Sequence, residues 1–169
     1  MYEFEESNFR TRQSTEKIKE ETFEHCQKLE EIHIPDSVTQ IEKGAFYYCR
    51  SLSKLTLGKK LEVIDNNAFE GCSSLKQIEI PDSVESIGEG AFTYCTSLEH
   101  VTIGNKLAYV AKSAFSWCNL TEITWGDGIA KIGDSAFACN QKLTTVSIPD
   151  TVTELEYKAF AGCVELSDI

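Results

Sequence analysis

The sequence predicts a solenoid of stacked repeats, a curved and elongated slab with a parallel β-sheet on one face and short extended and single-turn helical or 3-10 segments on the other. Phenylalanine recurs every 22 or 23 residues, and a cysteine lies three residues after almost every one of these phenylalanines. A fixed period of this size indicates repeats that cannot bury their apolar faces alone and that stack to share one core. The phenylalanines are Phe23, Phe46, Phe69, Phe92, Phe115, Phe137 and Phe160, and the cysteines are Cys26, Cys49, Cys72, Cys95, Cys118 and Cys163.

The first part of each repeat predicts a short β-strand. Leu75, Ile78 and Ile80 show its pattern, in which apolar and polar residues alternate at the end of the segment. This alternation is typical of a strand with one buried face. Proline or glycine follows each strand, and both residues end strand pairing and begin turns. They are Pro35, Gly58, Pro81, Gly104, Gly126 and Pro149.

The second part of each repeat predicts two further segments of the core. A Val-x-x-Ile pattern, such as Val84 and Ile87, predicts a second short extended piece. The Ala-Phe-x-x-Cys pattern then predicts a single helical turn, because residues three positions apart on a helix share a face. Stacking would place the phenylalanines in one column, and we expect this column to form the spine of the core.

The repeats also set the domain boundaries. Six full repeats, with a partial repeat at each end, occupy residues 18–169. Residues 1–17 form a charged N-terminal segment that is a possible cap. The chain has neither the apolar run of a signal peptide nor the ~20 apolar residues that cross a bilayer, so we expect no membrane insertion.

Two segments carry a resemblance to a known family. They are IPDSVTQIEKGAFYYCRSL at 34–52 and IPDSVESIGEGAFTYCTSL at 80–98, and they alternate with LGKKL and IGNKL versions at 57–61 and 103–107. This pattern resembles the BspA-type leucine-rich repeat over residues 18–169. The resemblance implies a leucine-rich repeat solenoid and a role in interaction, often adhesion to host proteins or other cells. It supplies no catalytic residues.

The net charge of −11 bears on partners and location. It argues against nucleic-acid binding, because phosphates require a basic surface. Acidity keeps a repeat surface soluble, and it would also attract a cationic partner. The resemblance implies a cell-surface or secreted protein, whereas the lack of a signal peptide fits a cytoplasmic protein or a fragment of a longer chain.

The cysteine column predicts a structural role rather than chemistry. Its members lie one repeat apart and point the same way, unlike the converging cysteines of disulfide scaffolds and zinc sites. In the fifth repeat Asn140 occupies the column. Cysteine and asparagine interchange where a small side chain donates a hydrogen bond to turn backbone. Cys139 is one position out of register, and we expect this thiol to react first.

Two columns of outward-facing strand residues are the candidate partner-binding residues. They could bind a protein or glycoprotein, although they lack the Trp, Tyr and Arg side chains that favour binding hot spots. An ordinary solvated sheet rich in threonine is the alternative. One column is Glu31, Lys54, Gln77, His100, Glu122 and Thr145, and the other is His33, Thr56, Glu79, Thr102, Thr124 and Ser147.

Aromatic residues occupy a separate column. Tyr48, Tyr94 and Trp117 stand just before a cysteine, where other repeats carry glycine. They either pack over neighbouring repeats or form a second binding surface. Trp125 replaces a core isoleucine, and we interpret it as buried filler.

Catalysis, metals and cofactors are not expected. His33 and His100 are three repeats apart, about 14 Å, and so cannot share a metal ion. Only two of the recurring post-strand aspartates are in adjacent repeats, which argues against a calcium ladder. Neither Cys139 nor the His25–Cys26 pair aligns with a base and an orienting group. The alternative to a binding scaffold is a self-assembling module, because the sequence stops at Ile169 inside a predicted strand and would leave an apolar end.

Overall fold

The structure, a computed structural model, describes residues 9–10 and 15–169. The described residues form thirteen short strands that repeat in two sets along a parallel solenoid. The strands are β1 Phe9–Arg10, β2 Lys17–Ile18, β3 Glu31–His33, β4 Gln40–Ile41, β5 Lys54–Thr56, β6 Val63–Ile64, β7 Gln77–Glu79, β8 Ser86–Ile87, β9 His100–Thr102, β10 Tyr109–Val110, β11 Glu122–Thr124, β12 Lys131–Ile132 and β13 Glu154–Leu155.

The odd-numbered strands from β1 to β11 form the first strand ladder. β1, β3 and β5 pair in parallel, and so do β7, β9 and β11. The register sets each residue beside its equivalent in the next repeat, as in Ile78 opposite Val101. In β3, β7 and β9 the central residue is buried and its two neighbours are exposed, which confirms the predicted alternation.

The remaining strands form the second strand ladder, from the predicted second extended piece of each repeat. β2, β4, β6 and β8 pair in parallel, as do β10, β12 and β13. Ile41, Ile64 and Ile87 follow one another in register and are buried.

Most of the predicted N-terminal segment 1–17 lies outside the described residues. Of its described part, Phe9–Arg10 pairs with β3 and Lys17 pairs with Gln40 of β4. Both pairings have the register of the later repeats. The boundary at residue 18 stays a prediction.

A third ladder, which we call the phenylalanine ladder, passes through the turn that contains each phenylalanine. The amides of Phe46 and of the residues two before and two after it donate to carbonyls of the next repeat. Equivalent trios join all six junctions from Phe23 to Phe160, with N–O distances of 2.7 to 3.1 Å. This ladder is therefore continuous along the described repeats.

The predicted single helical turn is not confirmed, because the described residues contain no helix. The residues two before and two after each phenylalanine have left-handed φ angles between +53° and +74°. The intervening amides, such as those of Ala45, Tyr47 and Cys49, bond instead to carbonyls three residues back. The segment is thus a succession of tight turns, in which alternate amides bond locally and to the next repeat.

The phenylalanine spine is confirmed. Successive rings from Phe23 to Phe160 stack with centroids 5.0 to 5.5 Å apart and interplanar angles of 2° to 12°. Phe46, Phe69, Phe92, Phe115 and Phe137 are fully buried. The strand and turn columns surround these rings and form the main apolar core, and Leu143, Val146 and Cys163 form a second, small cluster near the C-terminus.

The first strand ladder opens at two junctions, each of which precedes a proline. Pairing is lost between β5 and β7, ahead of Pro81, and between β11 and the residues ahead of Pro149. At a closed junction the backbone approaches so closely that a Cβ on Gly104 would lie 2.4 Å from the carbonyl oxygen of Pro81. A proline carries both a Cβ and a ring, so it cannot take the glycine position without separating the strands. β1 pairs with β3, which lies ahead of Pro35. The position opposite Pro35 falls within residues 11–14, which lie outside the described part.

We expect Phe92→Ala to lower the free energy of unfolding by about 3–5 kcal/mol, because it removes a fully buried ring from the middle of the spine. Denaturant-induced unfolding followed by circular dichroism measures the loss. Thr102→Ala, on the exposed side of β9, is the control and should change stability by less than about 0.5 kcal/mol. Equal stability of the two variants would contradict the spine.

Candidate partner-binding surface

The structure places all twelve predicted strand residues on the surface. Every member of the two columns is exposed. The parallel register brings neighbouring members together and forms the ion pairs Lys54–Glu31 at 3.4 Å and His100–Glu122 at 3.6 Å. Exposed pairs of this kind add little stability, so these charges remain available to a partner.

The strand columns do not form one unbroken sheet. The opening between β5 and β7 separates Glu31, Lys54 and their neighbours from Gln77, His100 and Glu122. Beyond the second opening, Thr145 makes an isolated bridge to Asp168. The surface is therefore divided into two paired blocks and a C-terminal remainder.

A groove of about 800 Å³ lies along the ends of β5, β7, β9 and β11, where the first opening is. Sequence reasoning missed it, although the succession of Gly58 and Pro81 is the signal that could have revealed it. Its lining includes Leu57, Lys59, Glu79, Asp82 and Trp125.

The interpretation of Trp125 as buried filler is wrong. The side chain is only half-buried and lines the groove. One part of the ring packs edge-on against Phe137, with centroids 5.4 Å apart and planes at 77°. The equivalent Ile80 and Ile103 are buried, whereas Trp125 and Ile148, on either side of the second opening, are both half-buried. This aromatic is therefore accessible beside the strand columns.

The aromatic column coincides with the second left-handed position of the turn. Tyr48, Tyr94 and Trp117 have φ angles of +53° to +59°, where Gly71 and Gly162 have +72° and +74°. A left-handed residue other than glycine costs about 1–2 kcal/mol. The column therefore retains these rings despite an unfavourable backbone conformation.

Packing and exposure divide the aromatic column. Tyr48 is half-buried, and its ring covers Gly71 so closely that a Cβ there would lie 2.8 Å from Cγ of Tyr48. Tyr94 and Trp117 are 42% and 49% exposed and stack with centroids 6.0 Å apart. The first ring thus packs on its neighbour, whereas the other two form an exposed aromatic pair.

Five cysteines of the column make the backbone hydrogen bonds that the sequence indicates. Cys49, Cys72 and Cys95 each donate from Sγ to the carbonyl of the phenylalanine one repeat back, at 3.0 to 3.3 Å. Burial raises the pKa of the Cys49 thiol to about 12, so almost no thiolate forms near neutral pH. Cys139 is only half-buried. That its thiol reacts before the other thiols with a labelling reagent stays a prediction.

Asn140 compensates for a repeat that is one residue shorter than the others. In the other repeats the leucine amide bonds to a carbonyl three residues back, as Leu98 does to Cys95 at 2.8 Å. Only one residue separates Cys118 from Leu120, so that bond is lost, and Oδ1 of Asn140 accepts from the Leu120 amide at 3.0 Å. Nδ2 of Asn140 donates to the carbonyls of Phe115 and Phe137 at 2.9 and 2.8 Å.

The described part of the chain contains no group of three His, Cys, Asp or Glu side chains placed to hold a metal ion. Within the same residues there is no helix with the length and apolar character of a membrane span.

The repeat matches a known family model. The model for the BspA type leucine-rich repeat region matches residues 2–110 and 62–169, in six copies. No curated protein shows significant sequence similarity to the chain.

Solved bacterial leucine-rich repeat structures have a similar fold. A leucine-rich cell surface protein from Faecalibacterium prausnitzii is 26% identical with a TM-score of 0.50, and the alignment covers 86% of this chain and 54% of that one. A leucine-rich repeat protein from T. pallidum is 27% identical with a TM-score of 0.57, covering 79% and 72%. One from Eubacterium ventriosum is 26% identical with a TM-score of 0.59, covering 79% and 42%. The chain thus spans about half the length of the first of these proteins.

We expect Asn140→Cys to destabilise the protein by about 1–3 kcal/mol, although cysteine is the usual residue of the column, because the Leu120 amide is left buried without its acceptor. Urea unfolding measures the change. The matched control inserts one serine after Asn119 in the Asn140→Cys variant, which restores the common repeat length and should recover most of the loss. Full stability of Asn140→Cys alone would show that the asparagine does not compensate for the shorter repeat.

Proposed function

The chain belongs to the family of BspA-type leucine-rich repeat proteins, and we propose on that premise that it is a non-enzymatic scaffold that binds a protein or glycoprotein partner, in adhesion or host interaction. The family's repeat fold is typical of proteins that bind other proteins. The similar protein from Faecalibacterium prausnitzii is described as a cell surface protein, which supports an adhesive role.

The observation that carries this proposal is the exposure of all twelve strand residues, most of which the parallel register aligns in two paired blocks. Six repeats at about 4.8 Å span roughly 30 Å, comparable with the span of a standard interface of ~800 Å² per partner. The strands are held by the buried core, so little conformational entropy is lost when a partner binds.

Charge and chemistry favour a polar partner surface. The two columns mix carboxylates, ammonium, imidazole and hydroxyl groups, and their ion pairs are exposed. Such groups give specificity and accelerate association more than they add affinity. The groove beside them contributes Trp125, the type of side chain that commonly dominates binding energy.

A second candidate function is self-association through the C-terminal end of the solenoid. Four large apolar residues are exposed in the last described repeat: Leu155 at 49%, Tyr157 at 71%, Val164 at 76% and Ile169 at 64%. The spine ring of Phe160 is half-buried there. A second copy stacked on this end would extend the core in the same way that each repeat extends it.

The scaffold proposal is tested by the triple variant Lys54→Ala, His100→Ala and Glu122→Ala, which removes exposed groups from one column and touches no groove residue. We expect at least one of a panel of purified extracellular-matrix glycoproteins to bind the native protein in surface plasmon resonance. The triple variant should weaken that binding by about tenfold or more, since interface charges are lost.

The matched control is Glu62→Ala, Ser86→Ala and Lys112→Ala, which are exposed beside the second ladder and also leave the net charge unchanged. This control should keep native affinity. Absence of binding across the panel, or equal binding by the triple variant, would count against the strand columns as the binding surface.

Self-association is tested by Tyr157→Glu combined with Val164→Glu. We expect sedimentation of the native protein to show larger species as concentration rises, and the charged variant to remain monomeric, because carboxylates oppose burial of this end. Single-species monomer behaviour of the native protein at high concentration would refute this second candidate.

A further inference from the structure

The opening in the first strand ladder leaves backbone groups without their usual partners. At closed junctions the residue after each strand donates across the ladder, as Ile34 does to Thr56 and Ile80 to Thr102, both at 2.8 Å. Among the described residues no equivalent bond joins the Leu57 amide to the Glu79 carbonyl. Both residues line the groove. A chain bound in the groove would therefore lie beside a backbone donor and a backbone acceptor that lack these partners.

Two carboxylates give the middle of the groove a negative character. Glu79 and Asp82 are both exposed, and neither has an ion-pair partner in the described residues. Oδ1 of Asp82 accepts from the Asn105 amide at 2.9 Å, which fixes the carboxylate at the rim. Lys59, one repeat earlier, is the cationic group among the described lining residues. Two carboxylates against one ammonium group favour a cationic ligand, and the net charge of −11 adds to that attraction.

Trp125 provides an apolar contact at a defined distance from the carboxylates. It belongs to the repeat two junctions beyond that of Glu79 and Asp82, a separation of about 10 Å along the solenoid. In a polyproline II segment, side chains three residues apart share a face and are separated by about 9 Å. In a β-strand, same-face side chains are about 7 Å apart, which is a poorer match.

We propose that this groove binds an extended basic segment of a partner protein, in polyproline II conformation, with a lysine or arginine at Glu79 and Asp82 and an apolar side chain three residues away on Trp125. A polyproline II chain makes no internal hydrogen bonds, so its backbone is free to bond to the Leu57 amide and the Glu79 carbonyl. The inference rests on the proposed function, because it names the kind of partner segment that the binding surface takes.

The two tryptophans of the chain allow a direct measurement. Trp117→Phe leaves Trp125 as the single tryptophan, so its fluorescence reports on the groove. The probe is a synthetic peptide of about eight residues that contains Lys-Pro-Pro-Leu. We expect saturable change in Trp125 emission, and affinity that falls in about 0.5 M salt because the contact is electrostatic.

Two altered peptides test charge and spacing separately. Glu-Pro-Pro-Leu reverses the charge, and Lys-Pro-Leu-Pro shifts the apolar residue by one position. Each should bind at least about tenfold more weakly than Lys-Pro-Pro-Leu, since one loses the attraction to the carboxylates and the other loses the contact with Trp125. Equal affinity of all three peptides would overturn the proposal.

The protein variant Glu79→Gln with Asp82→Asn should weaken Lys-Pro-Pro-Leu binding by about tenfold or more. Asparagine keeps the Oδ1 acceptor of Asp82, as Asn105 shows when it accepts from the Asp127 amide at 3.1 Å. The matched control is Glu62→Gln with Asp150→Asn, two exposed residues that lie outside both the groove and the strand columns. It removes the same two charges and should leave peptide binding unchanged.

The outcomes separate this inference from the proposed function. Loss of glycoprotein binding in the Lys54, His100 and Glu122 triple variant, with no peptide binding in the groove, would uphold the scaffold and overturn the groove. Peptide binding that requires Glu79 and Asp82, with no effect of the triple variant on glycoproteins, would support the groove and refute the column of Lys54, His100 and Glu122 as the binding surface. Emission changes with chitohexaose but with no peptide would overturn the peptide proposal in favour of a glycan site.

Discussion

The phenylalanine ladder is the constraint on which the rest of this solenoid depends. It alone continues through all six junctions of the described repeats, whereas the first strand ladder opens twice and the second opens between β8 and β10. Three backbone hydrogen bonds and one ring stack at each junction fix the register of neighbouring repeats. Strand pairing can therefore be lost locally without loss of the stack. The strand ends tolerate either proline or glycine because the phenylalanine ladder sets the register of the repeats.

The geometry of this ladder also determines what appears at the surface. Its left-handed positions turn alternate amides toward the next repeat, and no side chain at a non-glycine left-handed position is buried in the core. Where the next repeat has glycine, the preceding side chain folds over it, as Tyr48 does on Gly71 and Cys139 on Gly162. Where two large residues follow one another, as Tyr94 and Trp117 do, both stay exposed and stack. The exposed aromatic pair is thus a consequence of sequence differences between adjacent repeats.

The repeated columns could be predicted from the sequence, and the differences between repeats could not. The period alone places the spine, the buried strand residues and the exposed columns, because each repeat has the same type of residue at the equivalent position. The left-handed turn was not predicted, because several of its left-handed positions carry Glu21, Asn67 and Ser113 instead of glycine, the usual sequence signal of a left-handed φ angle. The groove was missed because the effect of a proline that follows a glycine depends on how closely neighbouring backbones approach, as they do at Gly104, and the repeat pattern does not give that distance. Trp125 was predicted to be buried because its column is apolar, but it lies at the second opening, where Ile148 of the same column is also only half-buried.

A repeat solenoid acquires specificity where it departs from its own repeat. Identical residues in successive repeats make a uniform surface, which cannot distinguish one partner register from the next. Pro81 follows Gly58 and opens the ladder, Glu79 places the single carboxylate of its column at that opening, and Trp125 replaces an aliphatic residue two repeats beyond. These three departures occur within one groove, where they give a bound chain a fixed position along an otherwise regular surface. The stack that holds them is unaffected, because none of the three belongs to the phenylalanine ladder.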